Sequence, residues 1–130
     1  MRIHHIGVAV ADLNKGIAHY ERLGLKLAHR ERLDAQNVEV AFMGERPWIE
    51  LVMGTKPGGG VSKFVDTRGP GQHHVAFSVA NIEAELKRQV EIGARLIDEA
   101  GRPGAWGHRV AFLHPKDQGG VLIELVEEAL

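Results

Sequence analysis

Two histidines and two glutamates stand where their types and spacing could do chemistry. His5 lies in His4-His5-Ile6-Gly7-Val8-Ala9-Val10, and His74 lies 69 residues later in His73-His74-Val75-Ala76-Phe77-Ser78-Val79. Glu50 sits in Ile49-Glu50-Leu51-Val52 and Glu124 in Ile123-Glu124-Leu125-Val126. Two imidazoles and two carboxylates make a hard-to-borderline donor set. It suits a divalent metal ion (Co, Mn, Ni, Zn or Fe), with positions left for water or substrate. A lone histidine on a strand is ordinarily a core or surface residue, and a lone glutamate between apolar residues is ordinarily the solvent-facing alternate. The recurrence of both at equivalent places is what singles these four out.

The elements that must position them are themselves duplicated, and self-similarity is the first thing to seek in a chain. The 69-residue step that links His5 to His74 also links Gly24 to Gly93. Val40-Ala41-Phe42 returns as Val110-Ala111-Phe112. Residues 3–10 alternate with the two-residue period of a strand, so His5, Gly7 and Ala9 share one face and Ile6, Val8 and Val10 the other. In the second copy His74, Ala76 and Ser78 oppose Val75, Phe77 and Val79. Glu50 and Glu124 lie opposite Ile49/Leu51 and Ile123/Leu125 by the same rule.

Asp12 or Asn14 can cap a first helix whose apolar stripe is Leu13, Ile17, Tyr20 and Leu23, with Gly24 as its left-handed terminator. Strands are expected at 25–33, 37–43 and 47–53, then a glycine-rich linker at 54–60 and a short helix at 61–67. The second copy repeats the order, with a strand at 72–79, a helix at 81–92 capped by Asn81, and strands at 94–98, 108–113 and 120–126. The fold class is α+β: two tandem βαβββ modules, 1–53 and 72–130, joined by linker 54–71 into a single domain. Pairing within each module is mostly antiparallel, with a helix on one sheet face. Two sheets curled face to face would bring His5, Glu50, His74 and Glu124 into one cleft. His4 and His73 point to the helix side as structural residues.

Composition narrows the function classes. The chain has 130 residues, net charge −1 and no cysteine. Disulfides, thiolate metal sites and cysteine nucleophiles are thereby excluded. The charge balance gives no general attraction to nucleic acid or to an anionic membrane surface. With no signal-like or membrane-spanning apolar stretch, a soluble cytoplasmic protein is expected.

At this point the sequence resembles the vicinal oxygen chelate superfamily, which includes glyoxalase I, extradiol dioxygenases and small antibiotic-resistance proteins. Within it the resemblance is to methylmalonyl-CoA epimerases. It rests on His5-Ile6-Gly7-Val8-Ala9-Val10, His73-His74-Val75-Ala76-Phe77, Arg102-Pro103-Gly104-Ala105 and the long block from Phe112-Leu113-His114-Pro115-Lys116 to Gly119-Gly120-Val121-Leu122-Ile123-Glu124-Leu125. The resemblance implies a cupped sheet, a divalent metal on His5, Glu50, His74 and Glu124, a homodimer, and an acyl-CoA substrate inverted at C2. Because the duplication relates them, and by analogy with related glyoxalases, Glu50 and Glu124 are expected to move protons on opposite faces. His114, Lys116 and Trp106 are candidate substrate-binding residues, and Trp106 stands where close relatives often have His. Lys56, Lys63, Arg68, Arg102 and Arg109 could meet the CoA phosphates, and nothing in the sequence ranks them.

One departure stands out. Some epimerases carry an extra carboxylate four residues after the Gln of a Gln-Gly-Val motif, and Gln36-Asn37-Val38-Glu39-Val40 puts Val40 there. Glu39 should face the other side of its strand. Two kinds of rival remain open. A glyoxalase I acting on a glutathione hemithioacetal would keep the same donors, and a facial-triad Fe²⁺ dioxygenase would use two His and one Glu. A metal-free drug-binding protein of the same fold would need none of them.

Overall fold

The computed structural model describes residues 1–129. Both copies begin and end their helices with the same devices. Strand β1 (Arg2–Ala9) leads into helix α1 (Leu13–Arg22), where the Asp12 carboxylate accepts from the Lys15 N–H at 3.0 Å. Strand β5 (Gly71–Ser78) leads into helix α3 (Ile82–Glu91), where Asn81 accepts from Ala84 N–H at 2.9 Å. Each cap satisfies a backbone donor that the first helical turn leaves without a partner. At the other end Gly24 and Gly93 take φ of 95° and 94°. The amide of Gly24 donates to Glu21 and that of Leu25 to Tyr20, while Gly93 donates to Val90 and Ala94 to Gln89. Both helices therefore close in a Schellman turn.

One exception to the expected apolar stripe follows from that turn. Leu23 is 72% exposed. Gly24 reverses the chain just beyond it, and Leu25 packs against the core in its place.

The chain forms two compact units, His5–His73, and Met1–His4 with the chain from His74 onward. In the first, β2 (Leu27–Leu33), β3 (Val38–Met43) and β4 (Trp48–Gly54) join β1 in the order β2-β3-β4-β1. All pairs are antiparallel except β1–β4. Helix α2 (Gly60–Arg68) follows β4. A Cβ on Gly54 would stand 2.0 Å from Ser62 Oγ, so this junction requires glycine.

In the second unit the order is β5-β8-β7-β6, with β6 (Arg102–Pro103), β7 (Arg109–Leu113) and β8 (Ile123–Glu127). Again only β5–β8 is parallel. The strand expected at 94–98 does not form. Leu96 makes an isolated bridge to Leu113, and Asp98 takes the Phe112 N–H with its side chain at 2.8 Å. A side chain has replaced a ladder partner, and the edge strand is displaced to Arg102–Pro103.

The two apolar cores repeat the duplication residue by residue. Leu13, Ile17, Ala41, Met43 and Leu51 pack under α1, and Ile82, Leu86, Ala111, Leu113 and Leu125 under α3. Glu50 and Glu124 alternate with these inward residues and so lie on the opposite sheet face in each unit. Among the described residues no helix is long and apolar enough to cross a membrane.

Candidate metal centre

In the unit His5–His73, parallel pairing sets Gly7 beside Glu50, so His5 and Glu50 share a face one diagonal apart. His5 Nε2 lies 3.3 Å from Glu50 Oε1. In the other unit Ala76 pairs with Glu124, which puts His74 on the same diagonal, and His74 Nε2 lies 3.0 Å from Glu124 Oε1. All four residues are buried, between 2% and 7% exposed. Burying a carboxylate against an imidazole is costly unless each finds a polar partner or an ion. The structure thus brings the candidates together two by two, one His–Glu pair in each unit.

Both pairs are held from the side by an aromatic ring that the sequence reading left without a role. Phe42 pairs across the ladder with Glu50, and Phe112 with Glu124. His5 meets the Phe42 ring edge-on at 5.5 Å, and His74 meets Phe112 at 5.7 Å. Such T-shaped contacts fix ring orientation and add about 1 kcal/mol to area burial. The signal was in the sequence as the repeated Val-Ala-Phe, where alternation puts the Phe on the glutamate face.

The flanks of these rings differ. Arg102 lies with Cζ 5.6 Å over Phe112 and pairs with Asp98 at 3.2 Å, whereas His29 is tilted against Phe42 and lies 2.9 Å from Glu31.

His114 accepts the Lys116 N–H on Nδ1 at 3.1 Å and so caps the short 3-10 turn Pro115–Asp117. Asp117 anchors that turn by accepting from the Arg95 guanidinium and backbone, which holds its carboxyl below the ordinary carboxylate range. Lys116 projects into solvent. Trp106 takes a left-handed φ of 61° and tilts against His108. His4 is buried against Glu128 and His108, and His73 packs on Phe64.

Glu39 bonds Arg30 at 2.8 Å, and Arg30 also reaches Asn14 on α1, so Glu39 faces the helix side as its parity requires. No bulge shifts β3: the only irregularity in its pairing with β2 lies between Leu27 and His29. Val40, at the position of the extra carboxylate, is buried.

This architecture has known counterparts. The Glyoxalase/Bleomycin resistance protein/Dioxygenase superfamily matches residues 4–112. The ethylmalonyl-CoA/methylmalonyl-CoA epimerase of Cereibacter sphaeroides is 35% identical over 95% of this chain and 96% of its own length. The crystal structure of methylmalonyl-CoA epimerase from Mycobacterium tuberculosis matches with TM-score 0.94 and 39% identity, covering 99% of this chain and 89% of that one. A Streptomyces coelicolor methylmalonyl-CoA epimerase in complex with 2-nitronate-propionyl-CoA matches with TM-score 0.95 and 33% identity over 100% and 99% of the two chains. The chain belongs to the glyoxalase/bleomycin resistance/dioxygenase superfamily and, within it, to the methylmalonyl-CoA epimerases.

Proposed function

We propose that this protein interconverts the 2R and 2S forms of methylmalonyl-CoA by removing and returning the C2 proton through a metal-stabilised enolate. The observation that carries the reading is the twice-repeated burial of a His–Glu pair, in a chain similar along nearly its whole length to epimerases of this substrate. In this reading His5 and Glu50, with His74 and Glu124, would hold the metal ion. Their two imidazole and two carboxylate donors fit Co, Mn, Ni, Zn or Fe alike.

The C2 proton lies between a thioester and a carboxylate, so its loss gives an enolate. The cation, when bound, supplies positive charge where that enolate develops. Glu124 takes or returns the proton on one face of C2 as a general acid–base. For the opposite face the sequence nominates Glu50. His114, Lys116 and Trp106 serve substrate binding in this reading, Lys116 through its solvent-exposed cation. The reading also takes both modules as one domain and the assembly as a homodimer, which sedimentation equilibrium checks.

Protein purified without chelators should carry about one divalent ion per chain. It should epimerise methylmalonyl-CoA but leave a glutathione hemithioacetal and catechol unchanged. Glu124→Gln should lower kcat by about 10²-fold or more. A protein that turns over the hemithioacetal instead, or binds no metal, defeats the reading.

A further inference from the structure

Inversion at C2 needs two proton carriers, and the face bearing His5 and Glu50 offers a choice of carboxylates. The register fixes which side chains share that face. Val52 pairs with Val40, and Val40 with Glu31; one row along, Glu50 pairs with Phe42, and Phe42 with His29. In an antiparallel ladder directly opposed residues point the same way. The face therefore carries His29, Glu31, Val40, Phe42, Glu50 and Val52, and only two of these are carboxylates.

They are unlike in what they can do. Glu50 is buried against His5 at 3.3 Å. In the reading above it is one of the four metal ligands. Glu31 is 35% exposed at its side chain, and His29 Nε2 holds its Oε1 at 2.9 Å. It stands directly across from the buried Val40. Val40 and Phe42 pave an apolar strip between the strands of Glu31 and Glu50, which lie about 10 Å apart at the backbone.

We propose that Glu31 is the proton carrier on this side of the substrate, with His29 as its positioning residue, while Glu50 serves as a metal ligand. In one direction the C2–H bond breaks, the proton goes to the Glu31 carboxylate, and the electron pair delocalises onto the thioester oxygen. The pair then returns to C2 as Glu124, entering protonated, delivers a proton to the opposite face. Solvent exchange resets both carboxyls, and the reverse reaction exchanges their roles. In the other unit the carboxylate beside the ring, Asp98, accepts from the Phe112 amide and pairs with Arg102, which lies over Phe112.

The assignment rests on the epimerase reading, and the test separates the two. Each pure C2 epimer is incubated in ²H₂O with the metal-loaded protein, and deuterium incorporation and epimerisation are followed together. Wild type should exchange both epimers. Glu31→Gln should lower epimerisation about 100-fold or more and abolish exchange of one epimer, while exchange of the other stays within twofold and the melting temperature is unchanged. His29→Ala should weaken exchange of that same epimer with KM unaltered. Glu50→Gln should affect both epimers alike, in proportion to lost metal. Full epimerisation by Glu31→Gln overturns the assignment alone, as does a one-sided exchange defect in Glu50→Gln. An inert wild type overturns the reaction reading and the assignment with it.

Discussion

At the scale of single residues the clearest leverage lies in the rings that flank the buried pairs. Phe42 is 2% exposed and touches His5, His29 and Trp48. Groups that orient a metal-binding imidazole typically change metal affinity 10- to 100-fold. Phe112→Leu keeps most of the apolar volume but loses the edge-on contact to His74. Titration with Co²⁺ followed by absorbance should show affinity about 10-fold weaker, with the unfolding midpoint little moved. Equal affinity in the variant would mean that Phe112 only fills space. These rings were legible as a repeat, yet nothing in a single strand says which neighbour an aromatic will meet.

At the scale of elements the two modules provide an internal control, because they share caps and terminators. Asp12→Ala and Asn81→Ala should each cost about 1 kcal/mol of unfolding free energy. Both carboxyl and amide accept one first-turn N–H at closely similar distance, so the two losses should agree within a few tenths. Urea titrations of the two variants check this. Gly24→Ala and Gly93→Ala meet no atom within 4 Å at a built Cβ. Their cost should be conformational only, about 1 kcal/mol each for a left-handed φ. Larger losses would reveal packing at those turns that the structure does not contain.

The whole molecule should respond to metal removal and to acid in distinguishable ways. A ligand that binds only the native state stabilises it by mass action, about 4 kcal/mol at a thousand times Kd. Dialysis against a chelator should therefore lower the melting temperature by several degrees, and added Co²⁺ should restore it.

Acid acts elsewhere too. The guanidinium of Arg109, donating to Glu83 with help from the Gly101 amide, holds the Glu83 carboxyl below its ordinary value of 4.5. A carboxyl lowered in the folded state favours folding when ionised. Its contribution is full above pH 4.5 and lost as pH falls through the lowered value. Glu83→Gln should flatten the stability–pH curve below about pH 4.5 and leave its neutral limb parallel to wild type. Acid denaturation followed by far-UV circular dichroism checks the sign.

What the sequence determined by itself was everything governed by short-range rules. Alternation placed His5, Glu50, His74 and Glu124 on the faces opposite the helices, and the caps and glycines placed α1 and α3 to within a residue. Those features depend on neighbours a few positions away, so the local pattern is sufficient. The tertiary structure alone decided where long-range pairing overrides it. Asp98 captured the Phe112 amide and dissolved the strand expected at 94–98. Leu23 lost its burial to Leu25 across a reversed turn. Glu31 came to stand opposite Val40 because β2 and β3 pair in one register and not the next. A one-residue slip would send every side chain of a strand to the other face, and only the assembled sheet chooses between the two.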